Sequence, residues 1–461
     1  MLLVLLVVIV ASSAVLLAQV DQRRLAARQA DETLRALAAA KRALLDYAAI
    51  YPDLAGGAVQ LPCPDLDAGG AWPEGAAHTT NCGAAGVSML GRFPWRTLET
   101  AVARDANASC LWYAVSGTYK SAATATAAMI NPDSNGQLEL YAVESGALLQ
   151  GALPEDRPVA ILIAPSAPLS GQTRSGVGAP GQQCSSDFAA AGFLDTATGI
   201  GVSNASLSGT ADALDRFAVS AAYDPQHNDR VMTISRAELA AAAYRRADLE
   251  ATMQLLARGV ASCIAAYGLQ NPSGAGDRRL PWPTTPELAD YAADTAYDDV
   301  DDGVLSGRLP DRVDDSGTAT GNPVGRLLSD CDPALAPDWQ PALLALWRNW
   351  KDHFFYAVAE SFAPGASPPT SCTSCLSMNG AGQYAAIVLF AGRRLPALNQ
   401  RRNAPPIDAD TKRQIGNYLE GANAVNHPYT GGSADYQSQP AGPTFNDVAF
   451  CIDAAMNVSP C

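Results

Sequence analysis

Residues 1–20 read MLLVLLVVIVASSAVLLAQV and carry no charged side chain. An apolar run of this length crosses a hydrocarbon core as a single helix. From Asp21 to Tyr51 the chain is rich in Ala, Leu, Arg, Gln and Glu, which favour helix, and the first proline and glycine are Pro52 and Gly56. Leu34, Leu37, Leu44, Leu45 and Ala48 recur at three- and four-residue steps and predict one apolar stripe. The simplest reading is an unbroken helix over residues 1–51, roughly 75 Å long at the α-helical rise. Its first half suits lipid, and its second half is amphipathic and suits packing on a folded body.

Two other readings of this stretch are weaker. A cleaved signal peptide needs a basic leading region and a small-residue cleavage site, and AVLLA is a poor one. In a plain signal anchor, Arg23, Arg24 and Arg28 would hold the following chain in the cytoplasm. The cysteines call for the opposite side. A short basic leader removed from just before the apolar run resolves that conflict and places the body in the periplasm.

The body spans several domain lengths, because the whole chain has 461 residues. A hydrophobic content of 48% excludes global disorder. The net charge of −15 repels phosphate backbones, so nucleic acid is excluded as a partner, and it makes calcium a natural counter-ion. Ten cysteines beside four histidines read as disulfides in an oxidising compartment. Cys451 and Cys461 bracket the last strand and the terminus, and Cys63 and Cys82 share one loop. Cys372 and Cys375 form a CxxC. As zinc ligands they would want a second pair, and as a redox motif they would sit at a strand-to-helix turn rather than in the Pro/Ser-rich APGASPPTSCTSC.

The body also repeats itself in order. ALLDYAAIYPD, QLPCPD (60–65) and GRFPWRTL (91–98) correspond to SCIAAYGLQNPS, RLPWPT (279–284) and GRLPDRV (307–313). LWYAVSGTY (111–119) matches HFFYAVAESF (353–362), and VAILIAPSAPLSGQTR (159–174) matches AAIVLFAGRRLPALNQRR (385–402). GFLD (192–195) pairs with NYLEGAN (417–423), and HNDRVMTIS (227–235) with FNDVAFCID (445–453). Ser235 and Glu238 form a capping box opening a second long helix over 236–267. Short β-rich runs such as WYAV, AILIA, RVMTI, AIVLF and VAFCI then predict antiparallel strands. The expected class is α+β: a helix over 1–51, a helix-plus-sheet unit over 52–235, and a second over 236–461.

Nothing in the chain announces catalysis. Walker, Rossmann and HExxH patterns are missing, and His78, His227, His353 and His427 share no signature with a nucleophile, so the reading is not an enzyme. His227-Asn228-Asp229 is matched by Phe445-Asn446-Asp447, which fits a turn before a strand better than a catalytic dyad. Trp95, Trp112, Tyr113, Phe354, Phe355 and Tyr356 read as core aromatics. Asp298, Asp299, Asp301 and Asp302 before Gly303, and Asp65 and Asp67 before Gly69, are either calcium loops without EF-hand spacing or solvated acidic turns.

An apolar run at the N terminus, a helix of about fifty residues and then a body resemble type IV pilins and pseudopilins. LPCPD, GRFPW and LWYAVS resemble large, internally duplicated pilin-like proteins of Gram-negative bacteria along nearly the whole chain. The resemblance implies pilin-like units and an assembly helix (Met1, Leu5, Val10) that is single-pass in the inner membrane before assembly. It then packs against other pilin or pseudopilin subunits. Most pilins carry Glu as the fifth mature residue, where it offsets a neighbour's amine; here position 5 is Leu5. If Met1 is the mature start, that departure implies a minor or tip subunit of a pilus or secretion pseudopilus, displayed extracellularly for adhesion or partner binding. Structural Ca2+ and a C-terminal disulfide loop are also implied by the family. The rival expectation is an inner-membrane-anchored periplasmic binding or scaffold protein that never polymerises.

Overall fold

The computed structural model describes residues 2–54, 59–66, 72–78, 82–121, 129–174, 182–221, 224, 226–243, 249–270, 276–405 and 408–461. Within the first helix, side-chain surroundings are described for residues 24–50. The fold is α+β with several antiparallel sheets. It divides into two compact units. Unit 1 holds Met1–Ala49, Gln60–Thr126 and Asn135–Ala242, and unit 2 holds Ile50–Val59, Ala127–Ser134 and Ala243–Cys461.

Helix α1 runs Leu2–Leu54. Residues 24–32 are exposed, and burial begins at Thr33 and continues at Leu37, Ala40, Leu44 and Ala48. The expected stripe is therefore corrected at one end: Leu34 is 51% exposed and Thr33 takes the inward position. One residue is a rotation of about 100° on a helix, enough to move a side chain off the buried face. Thr33 Oγ1 accepts the Ala106 amide at 3.2 Å, and Lys41 donates to Thr233 O at 2.8 Å, which ties α1 to unit 1. Among the described residues no helix is long and apolar enough to cross a membrane. The side chains of residues 1–20, including Met1, Leu5 and Val10, lie outside the described ones.

Unit 1 carries β1 (Met89–Arg92), β2 (Trp112–Val115), β3 (Leu138–Ala142), β4 (Leu148–Gln150), β5 (Pro158–Ala164), β6 (Thr196–Ala197), β7 (Val202–Ser203), β8 (Asp215–Val219) and β9 (Arg230–Ser235). The main sheet has the order β1-β2-β5-β9, antiparallel throughout. A three-stranded sheet, β4-β3-β8, and the β6-β7 hairpin complete the unit. Strands β2 and β5 are buried at every position, because both faces of the sheet are covered. Trp112, Ala114, Ile161 and Ile163 share one core with Leu138, Phe193, Leu194 and Phe217.

The capping box closes as expected: Ser235 N donates to Glu238 Oε2 at 2.9 Å, and Glu238 N donates to Ser235 Oγ at 3.2 Å. It opens α2 (Arg236–Ala243), and α3 follows over Leu249–Leu269, with 244–248 outside the described residues. The division between units falls at Ala242/Ala243, so α2 belongs with unit 1 rather than opening the second.

Unit 2 holds β10 (Ser306–Arg308), β11 (Arg312–Val313), α4 (Asp315–Thr320), β12 (Gly325–Arg326), α5 (Leu343–Trp350), β13 (Phe354–Val358), β14 (Leu376–Met378), β15 (Ala381–Phe390), β16 (Asp435–Tyr436), β17 (Val448–Asp453) and β18 (Val458–Pro460). The path β10-β13-β15-β17 is antiparallel and repeats β1-β2-β5-β9. Register repeats as well. Gly91 faces Tyr113 and Gly307 faces Tyr356, while Asp65 bridges to Arg92 and Thr284 to Arg308. Both glycines are required by close approach: a Cβ would lie 2.6 Å from Asp65 O at Gly91 and 2.2 Å from Thr284 O at Gly307. Helix α3 packs on β15, β17 and β18, as the duplicated layout expects.

All ten cysteines are bridged, with Cα separations between 5.2 and 5.9 Å. Cys63–Cys82 and Cys451–Cys461 are the pairs that sequence position picked out, and the CxxC cysteines bond to each other as Cys372–Cys375. Cys110–Cys184 and Cys263–Cys331 join segments 74 and 68 residues apart.

Candidate functional site

The residues of greatest chemical interest form two buried polar networks, one per unit, at equivalent places in the repeat. Each centres on two carboxyl groups at the turn before the last strand of the main sheet. In unit 1, Asp195 Oδ2 accepts the amides of Asn228 (2.6 Å) and Asp229 (2.9 Å), and Asp229 Oδ2 accepts the Asp195 amide (2.8 Å). In unit 2, Glu420 Oε2 accepts the Asn446 amide (3.0 Å) and Asp447 Oδ2 accepts the Glu420 amide (2.9 Å). Two side-chain amides serve each pair, one at each acid. Asn204 and Asn423 donate to Asp229 and Asp447, both at 2.9 Å, while Gln172 and Gln400 donate to Asp195 and Glu420, both at 2.8 Å. Asn228 and Asn446 each reach across to a backbone carbonyl, of Ala167 at 2.8 Å and Arg393 at 2.6 Å.

Two buried or part-buried arginines in each unit pack on aromatic rings near these networks. Arg174 lies 5.5 Å from the Phe193 ring and donates to Phe193 O at 3.0 Å; Arg402 lies 4.3 Å from the Tyr418 ring and donates to Asn417 O at 2.6 Å. Arg92 and Arg308 sit in aromatic boxes. Arg92 is 4.8–5.5 Å from Phe188, Phe193 and Trp112, and Arg308 is 4.8–5.1 Å from Tyr291, Tyr418 and Phe355. Such charges are tolerable in a core because main-chain carbonyls and ring faces replace water. Arg308 donates to Pro286 O (2.9 Å), Asp352 O (2.5 Å) and Lys412 O (2.5 Å), fastening three segments to β10. Unit 2 adds a further ion cluster. Asp133 stands 3.0 Å from Arg402 Nη1 and 3.0 Å from His353 Nε2, and Asp352 pairs with Lys412. Burial alone would raise Asp133, but Arg402, His353 and Arg394 outweigh it and hold the carboxyl well below the usual carboxylate range.

The two acid pairs behave in the opposite way. Burial, and then the neighbouring carboxylate, push Asp229 and Asp447 well above the usual range. Each pair is therefore a place that retains a proton, or accepts some other cation, at a pH where exposed carboxylates are bare. Besides the exchange of Asp195 for Glu420, the units differ at the residue that opens the turn, His227 in unit 1 and Phe445 in unit 2, which make equivalent backbone bridges to Asp224 and Gly442. His227 is 1% exposed, its Nδ1 lies 3.9 Å from Asp195 Oδ2, and burial lowers its basicity.

The calcium candidates distribute unevenly. Asp298 and Asp299 come together, joined by Asp314, with donor oxygens within 4.8 Å of one another. Both Asp299 oxygens, however, accept amides of Asp314, Asp315 and Ser316 at 2.7–3.2 Å, capping α4. Arg312 pairs with Asp298 at 3.4 Å and with Asp314 at 2.7 Å. That group thus already closes on itself as a turn with its own counter-charge. Asp301 and Asp302 are exposed and stand apart from it. Asp65 is buried, and its Oδ2 accepts the Gly75 amide at 2.7 Å; Asp67 lies outside the described residues.

Sequence reasoning assigned Asn228-Asp229 and Asn446-Asp447 to turns, and both do precede strands. It missed that Asp195 and Glu420, in the GFLD and NYLE match, supply the second acid. The signal was there: an acid recurs at the same step of both repeats, at positions that would otherwise be apolar. No family model, curated protein or solved structure matches the chain.

Proposed function

We propose that the chain is a non-catalytic assembly subunit, a pilin-like minor or tip component of a type IV pilus or secretion pseudopilus. The observation that carries this reading is the division of α1: residues 24–32 are exposed, and burial against the body begins at Thr33. A helix that leaves its own body while still rising toward an uncharged apolar run suits storage in a bilayer and packing against like helices. The helix-and-sheet layout, the five disulfides and the net charge of −15 suit a body held in the periplasm or displayed outside the cell. The polar networks support a structural role, because their charged groups are buried and engage main-chain amides, carbonyls and one another.

The test is a photo-crosslinking amino acid at Leu5 or Val10, introduced in the native host. Adducts to another subunit bearing an apolar N-terminal helix are expected. Adducts to lipid alone would sink the assembly reading and favour a lone anchored scaffold.

A further inference from the structure

We infer that unit 1 holds a divalent transition cation, of the zinc type, on Asp195, His227 and Asp229. One ligand atom from each of these buried residues lies within 4.8 Å of the others, the spread a small cation draws together. A cluster alone would not be a site. Two further atoms point to a missing partner: His227 Nδ1 and Asp229 Oδ1 are both shut away from solvent, and neither has a hydrogen-bond partner. Both residues are 1% exposed, so water does not satisfy them either. Orphaned polar atoms at such depth cost about 1–3 kcal/mol each, and a shared ligand would satisfy both within this three-residue cluster.

The donor set selects the cation. One imidazole nitrogen with two carboxylate oxygens suits Zn2+, which accepts nitrogen and oxygen in a tetrahedron with one position left for water. Ca2+ and Mg2+ prefer all-oxygen shells. The surroundings orient the ligands as outer-shell groups do. Gln172 holds Asp195 at 2.8 Å, Asn204 holds the other oxygen of Asp229 at 2.9 Å, and the Asp195 amide holds it at 2.8 Å. Asn204 Nδ2 lies 3.4 Å from His227 Nε2, but its two hydrogens are committed to Asp229 and to Ala218 O at 3.0 Å. That leaves the ring tautomer open, and coordination through Nδ1 would place the ring proton on Nε2.

Unit 2 is a built-in control. It repeats the acid pair as Glu420 and Asp447 but has Phe445 at the position of His227, so that although Asp447 Oδ1 is left without a partner as Asp229 Oδ1 is, there is no imidazole nitrogen to complete a ligand set. The duplicated turn thus exists in two versions, one with an imidazole beside the acid pair and one without. The ion would pin the start of β9 to the turn that leads into the β6-β7 hairpin, making unit 1 alone stiffer in the presence of zinc.

The experiment is zinc titration by calorimetry on the full chain after chelator treatment, with its disulfides intact. One Zn2+ per chain is expected, weakened at least about 100-fold in His227→Phe, the residue the other unit uses here, and unchanged in Asp447→Asn. Retention of full affinity in His227→Phe, or no stoichiometric zinc in the native chain, overturns the inference. Should His227→Phe fail to fold, X-ray absorption on the zinc-loaded native chain decides. One imidazole nitrogen among oxygens is expected, and a shell without imidazole overturns the assignment.

Discussion

Replacing Arg308 by Met tests whether the buried arginines hold the repeat together. Arg308 is 0% exposed and its guanidinium is the donor to three carbonyls, Pro286 O, Asp352 O and Lys412 O. Met fills much of the volume and can still contact Tyr291, Phe355 and Tyr418, but it donates nothing. Each buried carbonyl left without a donor costs about 1–3 kcal/mol, and partial relaxation together with relief from burying a charge returns some of that. A net loss of about 4 kcal/mol follows. Arg92 has an equivalent box but donates to one carbonyl, Asp187 O at 2.5 Å, so Arg92→Met should cost about 2 kcal/mol. The assay is urea denaturation with disulfides intact, combined with hydrogen exchange so that each unit is followed by its own strands. Arg308→Met should deprotect β10 and β13 while leaving β1 and β2 unchanged. A loss below about 1 kcal/mol, or one no larger than that of Arg92→Met, would refute the reasoning.

Three further outcomes follow from the same geometry. Leu44→Ala, at a fully buried position of α1, should destabilise unit 1 by about 2–5 kcal/mol, whereas Leu34→Ala, at an exposed one, should stay within about 0.5 kcal/mol in the same denaturation assay. Replacing Cys263 and Cys331 by Ser opens a loop of 68 residues and should cost about 4 kcal/mol; opening Cys372–Cys375, three residues apart, should cost under about 2 kcal/mol, both read as shifts in urea midpoint. Asp447, raised by burial and then by Glu420, holds a proton in the folded chain that the unfolded chain releases. That contribution is complete below the unfolded carboxylate value of about 4 and fades as pH rises through the folded value. Stability measured from about pH 4 to about pH 8 should therefore fall more steeply in the native chain than in Asp447→Asn.

Much of the architecture was legible because it depends on local pattern. Ala and Leu without Pro or Gly before Pro52 mark the long helix, and WYAV, AILIA and VAFCI mark strands that the structure places at Trp112–Val115, Pro158–Ala164 and Val448–Asp453. Loop neighbours such as Cys63 and Cys82 could be paired by proximity in sequence. Long-range pairings could not. Cys110 meets Cys184, and Cys263 on α3 meets Cys331, because the tertiary fold brings distant segments together, and spacing carries no trace of that. Asp314 joined the acidic turn for the same reason: β11 carries the chain back beside Asp298. Leu34 was misplaced because Thr33 satisfies the Ala106 amide, so a hydroxyl won an inward position that hydrophobicity alone would have given to leucine. The buried acid pairs were readable in principle, since Asp195 with Glu420 and Asp229 with Asp447 fall in step across the repeat. Reading them needed the two matched blocks to be seen as neighbours in space.

The assembly account stands or falls on how the apolar run is processed. Intact mass and N-terminal sequencing of the protein taken from its native membrane address this directly. The account predicts a mature chain that begins at the apolar run, with an N-methylated amine left by removal of a short basic leader. An unmodified leader, or a chain cut near Gln19 so that the apolar run is gone, would contradict it and leave a lone anchor or a secreted protein.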